Sequence, residues 1–171
     1  MTRAPQQILV LPFTADEAGR VRYAVLHRAD MDAWQGVAGG VEDEESPLQA
    51  ARRECIEELG TDRFDLIALA SVSTIPASNF AAWPQWRRSD PDLLVVPERC
   101  FGARLRDRSD VRLSREHVEV AWLTYDEALA RLTWDSNRNA LWELHERLTG
   151  PSVWPPPATN PATATHRGPD A

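Results

Sequence analysis

The chain has 171 residues, with 26 Asp and Glu against 19 basic residues and a formal charge of -7. Every basic residue is an arginine, which excludes a Schiff-base lysine, a phosphate-loop lysine and a Ser–Lys dyad. The acidic balance speaks against nucleic acid or a membrane surface as partner, since either calls for a basic face.

The length suits one domain with a sizeable core. Two cysteines, Cys55 and Cys100, are too few for a disulfide scaffold and fit a reducing compartment as small buried residues. No apolar run approaches a membrane span and the N-terminus lacks a signal-peptide core, so a cytoplasmic location is expected. A domain over residues 1–150 and a tail over residues 151–171 are expected. The tail holds six of the thirteen prolines, with Pro155, Pro156 and Pro157 in a row. Such a segment cannot bury enough apolar surface to offset its ordering entropy, so disorder is expected there.

In chain order, Gln7 to Phe13 is a short apolar run with strand character. Residues 14–19 read as a hairpin loop, and Val21 to His27 alternates as a strand does. Ser46-Pro47-Leu48-Gln49 is a capping box with proline at the first helical position. The helix it opens is expected to run to Leu59 and stop at Gly60, burying Leu48, Ala51, Cys55 and Leu59. Phe64 to Val72 and Leu93 to Leu105 are strand candidates, with Pro97 marking an edge or bulge in the second. Val118 to Leu123 is a further strand. A second capping box, Thr124 to Glu127, opens a helix to about Leu132. A last helix spans about Asn137 to Leu148, with Leu141, Leu144, His145 and Leu148 on one stripe. Strands and helices interleave without regular alternation, which predicts a mixed sheet covered by helices.

The charge is concentrated. Residues 42–58 hold seven acids and two arginines, Arg52 and Arg53. Glu54, Glu57 and Glu58 fall at i, i+3 and i+4 of the predicted helix, so their carboxylates crowd one face. A divalent hard cation offsets that repulsion, and Mg²⁺ fits best because it takes few carboxylates, keeps waters and accepts phosphate oxygens. A solvated acidic face is the plain alternative. The Gly39-Gly40 pair and the acidic stretch from Glu42 to Glu45 feed directly into this helix, and glycine permits close backbone approach.

Gly39, Glu45 and the run Arg53-Glu54-Cys55-Ile56-Glu57-Glu58-Leu59-Gly60-Thr61 resemble the Nudix box at its full spacing. Cys55 and Thr61 depart from the usual apolar residues, and Glu44 stands where a glycine is common. Trp34 to Glu42, Glu116 to Leu123 and Leu132 to Arg138 are similar to the bacterial dihydroneopterin triphosphate (dATP) pyrophosphohydrolase group. Residues 73–92 match it poorly and are expected to shape the substrate pocket.

The resemblance implies an α/β Nudix fold, a mixed sheet sandwiched between helices. It implies Glu54, Glu57, Glu58 and Glu116 as metal ligands for Mg²⁺, with Mn²⁺ as a substitute. Glu57, Glu58 and Arg53 become the catalytic set, with Arg53 orienting a box carboxylate. Arg3 and Arg28 are candidates for phosphate contacts, with a plain surface role as the alternative. Trp34 is a candidate for stacking on a base or pterin, and Ser136 for substrate contact or helix capping. His27 reads as a satisfied strand histidine. Trp122, Trp134 and Trp142 read as core, while Trp83 and Trp86 are candidates for the pocket wall.

The implied reaction is Mg-dependent hydrolysis of a nucleoside-triphosphate-like substrate, of the dATP or dihydroneopterin triphosphate class, to a monophosphate and pyrophosphate. The alternatives are another X-linked diphosphate, a nucleotide-sensing module without catalysis, or an acidic scaffold with a recruiting tail. The box sets the reaction type, and residues outside it set the substrate.

Overall fold

The computed structural model describes residues 3–150, so the expected tail lies outside the described residues. Strand β1 (Arg3–Ala15) runs through the middle of a seven-stranded mixed sheet. It pairs antiparallel with β2 (Val21–Arg28) and β4 (Val37–Glu42) and parallel with β6 (Val95–Leu105). A two-residue strand β3 (Trp34–Gln35) and β7 (His117–Leu123) both pair with β2, and β5 (Phe64–Pro76) pairs with β6.

The sheet is covered on both faces, which explains why β1 is an unbroken apolar run rather than an alternating one. Ile8 and Val10 face the layer of helix α1 (Pro47–Leu59), with Val37, Val41, Ala51, Cys55 and Leu59. Leu9, Leu11 and Phe13 face α3 (Tyr125–Arg131) and α4 (Asp135–Thr149), with Ala128, Leu141 and Leu144. The result is the expected α/β/α sandwich.

Both capping boxes form, at Ser46 and at Thr124, and Gly60 ends α1 in the left-handed conformation at φ 65°. Leu48 is an exception to the expected stripe of α1. It is 52% exposed, and Ala50 takes its place in the core. Gly39 and Gly40, expected in the loop that feeds α1, lie in strand β4. Pro97 falls where β6 loses β1 as a neighbour, since pairing with β1 begins at Glu98. The strand start there is the edge that a residue without an N–H tolerates.

Residues 73–92 supply the end of β5, a short helix α2 (Trp83–Ser89) and a small apolar cluster around Ala77, Trp86 and Val96. Trp134 and Trp142, expected in the core, are 46% and 57% exposed. Trp122 packs against the α1 layer, under the Arg108 guanidinium. Both cysteines are free and buried. Among the described residues, no helix is long and apolar enough to cross a membrane.

Candidate active site

Arg53 organises the box from the middle of α1. Its guanidinium donates to both oxygens of Glu45 at 3.1 and 3.0 Å, to Glu54 at 2.8 Å, to Glu57 at 3.4 Å and to the Gly40 carbonyl at 2.8 Å. These bonds tie α1 to the end of β4. The bond from Arg53 holds the Glu45 carboxyl below its usual pKa, and the Glu45 and Glu54 carboxylates raise Arg53 further. Glu45 also accepts from the Glu42 backbone N–H at 3.1 Å, which closes the turn before the helix.

The three helix carboxylates are not equivalent. Glu54 is half-hidden against β4, and burial pushes its pKa up to about 6, with Glu58 and Glu57 adding repulsion. Gly39 is what lets it lie there. A Cβ on Gly39 would stand 2.0 Å from the Glu54 carboxyl carbon. Glu58 is 3% exposed, and burial raises its pKa too. Its Oε2 lies 2.6 Å from His117 Nε2, and the Ala38 backbone N–H gives it a further bond. Glu57 faces solvent, with its side chain 58% exposed. Glu116 is exposed at the start of β7, and its charge acts on Glu58.

The donor set fits a hard divalent cation. It consists of carboxylate oxygens whose mutual repulsion is only partly offset by Arg53. Among the described residues, no three His, Cys, Asp or Glu side chains stand close enough together to hold a metal ion by themselves. A cation held here would therefore complete its shell with waters and phosphate oxygens, as Mg²⁺ commonly does.

Beside the carboxylates, on the sheet face that α4 covers, lies a cavity of about 470 Å³. Its rim includes Arg28, Ile75, Phe80 and Trp134, and its polar lining includes Gln7, Gln35, Glu98 and Asn137. Arg28 links the two regions, because it lines the cavity and feels the charges of Glu116 and Glu58. Its fork is engaged by Asp30 at 2.7 and 2.5 Å. Ser136 lines the cavity in the first turn of α4, and it does not cap the helix, whose N-cap is Trp134.

Arg3 and Trp34 lie outside this cavity. Arg3 donates to Gln7 Oε1 at 2.7 Å and packs over Phe80, so it supports the lining from behind. The Trp34 ring is occupied by its cross-strand partner His27, stacked at 4.7 Å, and by the Arg131 guanidinium. Trp134 is the indole that reaches the cavity, with its Nε1 bonded to Gln35 Oε1 at 3.3 Å. Trp86 is buried, donating to the Arg3 carbonyl, and Trp83 lines a separate groove with Arg87 and Arg88.

Only the structure brings out the buried polar residues of the cavity and the Glu58–His117 pair as candidates. The signal was present. Gln7 and Glu98 occupy positions whose neighbours two residues on, Leu9 and Cys100, belong to the α4-side core. Asn137 stands one turn before Leu141 on the buried stripe of α4. A polar residue at an inward position needs a partner.

An α/β/α sandwich with arginine-braced carboxylates on α1 is the arrangement on which the family match falls. The chain matches the NUDIX domain profile over residues 7–144 and belongs to the Nudix family of hydrolases, which act on diphosphate bonds. It is 30% identical over 150 residues to an RNA pyrophosphohydrolase of Pseudomonas paraeruginosa, covering 78% of this chain and 88% of that one. A Listeria monocytogenes protein described as a NUDIX hydrolase superposes with a TM-score of 0.71 at 42% identity, covering 85% and 94% of the two chains. The dihydroneopterin triphosphate pyrophosphohydrolase of Escherichia coli superposes with a TM-score of 0.65 at 28% identity, covering 85% and 99%.

Proposed function

We propose that the protein is a Mg²⁺-dependent pyrophosphohydrolase of a nucleoside-triphosphate-like substrate, of the dATP or dihydroneopterin triphosphate class. One observation carries this reading: Glu54 and Glu57, braced by Arg53, and Glu58, held by His117, are joined through Ala38 and Arg28 to a cavity large enough for a heterocycle. The likeness to the E. coli enzyme supports the substrate class.

Glu54 and Glu58 are the buried ligands for the cation, with Glu116 contributing from the turn before β7. When bound, Mg²⁺ supplies charge neutralisation of the polyphosphate and a lower pKa for nearby water. Arg53 fixes the Glu54 carboxylate at 2.8 Å and holds Glu57 more loosely at 3.4 Å, with the Glu57 side chain mostly toward solvent. Glu57 is placed to take a proton from the attacking water. The new P–O bond forms on one side of a phosphorus while the P–O bond to the pyrophosphate leaving group breaks on the other. Gln7, Gln35, Glu98, Ser136 and Asn137 hold the heterocycle, and Arg28 stands between it and the carboxylates.

A substrate panel with Mg²⁺ tests the proposal. It includes dihydroneopterin triphosphate, dATP, nucleotide sugars, dinucleoside polyphosphates and 5′-triphosphate RNA, the last because of the Pseudomonas relative. Pyrophosphate release from the first two, abolished by Glu58→Gln, is the expected result. Near-normal turnover by that variant would remove Glu58 from the mechanism.

A further inference from the structure

Glu98 is the anomaly of the cavity. It is 4% exposed and lines the cavity; the Ser136 side chain is hydrogen-bonded to its carboxyl, yet its Oε2 has no hydrogen-bond partner. A buried carboxylate oxygen left unpaired is costly, so such a group is expected to serve a ligand. Beside it on the sheet stands Gln7, its register partner in the parallel pairing of β1 with β6. Three amides around the cavity have their carbonyl oxygens already taken. Gln7 Oε1 accepts from Arg3, Gln35 Oε1 from Trp134, and Asn137 Oδ1 from the Gly36 N–H at 2.9 Å. Those bonds turn the amide NH₂ groups of Gln7 and Gln35 into the ends left for a ligand. The lining therefore offers a carboxylate acceptor flanked by amide donors.

We propose that Glu98 is a specificity residue that selects a 2-amino-4-oxo heterocycle, of the guanine or pterin kind, over adenine. Such a ring presents an exocyclic NH₂ and a ring N–H side by side, followed by a carbonyl. The two donors match the fork of a carboxylate, and the carbonyl matches the Gln7 amide. Adenine offers one N–H donor next to a ring-nitrogen lone pair, which opposes the second carboxylate oxygen. Two N–H donors also offset the desolvation by burial that pushes the Glu98 carboxyl up, and one donor offsets less of it. The proposal rests on the hydrolase reading above and narrows its substrate to one side of the pair named there.

Equilibrium binding of nucleoside monophosphates tests it without any need for turnover. The probes are dGMP, dIMP (which lacks the 2-amino group) and dAMP, measured by calorimetry on the wild-type protein and on Glu98→Gln. Wild type should bind dGMP about 10- to 100-fold more tightly than dAMP, the range expected for hydrogen bonds to a charged group, with dIMP between them. Glu98→Gln keeps the volume but replaces one acceptor by a donor, so the preference for dGMP should collapse. Equal affinity of the wild type for dGMP and dAMP overturns the proposal, and so does a preference that survives in a folded Glu98→Gln. Should that variant fail to fold, the wild-type order of dGMP, dIMP and dAMP decides alone. Selective dGMP binding with no turnover of any triphosphate would sink the hydrolase reading and leave this one standing. Turnover without discrimination among the bases would do the reverse.

Discussion

Glu58 Oε2 and His117 Nε2 meet at 2.6 Å with both side chains almost wholly buried. The pair joins α1 to β7 and fixes where the Glu58 carboxylate points. The backbone repeats the link, because the Ser114 N–H donates to the Glu58 carbonyl at 3.0 Å.

His117→Ala should therefore leave a buried carboxylate without its side-chain donor. A loss of about 1–3 kcal/mol in stability is expected from the unpaired group. Turnover should fall about 10- to 100-fold as Glu58 loses its orientation. His117→Gln, which restores an N–H donor, should recover part of both. Denaturant unfolding and steady-state kinetics on the two variants check this. Wild-type kcat in His117→Ala would show that the pair is structural alone.

Gly39 and Glu54 give a second relationship of the same kind. The Cβ of Gly39→Ala would fall within about 2.0 Å of the Glu54 carboxyl, so that side chain must leave its place against β4. A displacement on the order of 1 Å at a reacting site can cost roughly 100-fold in rate. We expect Gly39→Ala to lose activity of that order and to weaken Mg²⁺ binding, while its far-UV circular dichroism stays native. Unchanged Mg²⁺ affinity by calorimetry would count against Glu54 as a ligand.

Much of this site was legible in the sequence because its parts are local. The capping box, the stripe of α1 and the box spacing all fall within residues 39–61, and a helix converts spacing into geometry. The parts that were not legible depend on pairing across the chain. Trp34 looked like a stacking residue, but β2–β3 pairing sets His27 against it. Trp134 looked like core, but its place at the N-cap of α4 turns it toward the cavity. Glu98 and Gln7 are 91 residues apart and become neighbours only through the parallel β1–β6 register. Leu48 sat correctly on its helix stripe but near the exposed first turn, where Ala50 does the packing.

Glu44 is the only non-glycine residue with positive φ among the described residues, at 69°. It occupies the turn between β4 and α1, at the position where the sequence departs from the usual glycine. The left-handed conformation costs a residue with a Cβ roughly 1–2 kcal/mol. Glu44→Gly relieves that strain at some entropic cost in the unfolded chain. A net gain of about 0.5–1 kcal/mol is expected, or a rise in Tm of about 1–4 °C for a domain of this size. Differential scanning calorimetry checks it, and a fall in Tm would mean that the Glu44 side chain supplies an interaction that outweighs the strain.

Glu143 on α4 holds the irregular part of β5 in place. The register of β5 against β6 shifts between Ala68 and Val72. The N–H groups released there, from Ala70 and Ser71, donate to Glu143 at 2.7 and 2.6 Å, and the Ser71 hydroxyl adds a bond. Burial pushes the Glu143 carboxyl up, but these donors and the paired Arg147 more than offset it and hold its pKa below the usual range. A carboxyl with a depressed folded pKa stabilises the protein above its unfolded value of about 4.3. That contribution fades as the pH falls through the lower folded value. Glu143→Gln keeps one acceptor oxygen but loses the charge, and should cost about 1–3 kcal/mol at neutral pH. The gap between wild type and variant should be widest above about pH 5 and shrink as the medium is acidified. Urea unfolding of both proteins across that range checks the sign, and a gap that stayed constant down to the acid limb would place the effect in packing rather than in charge.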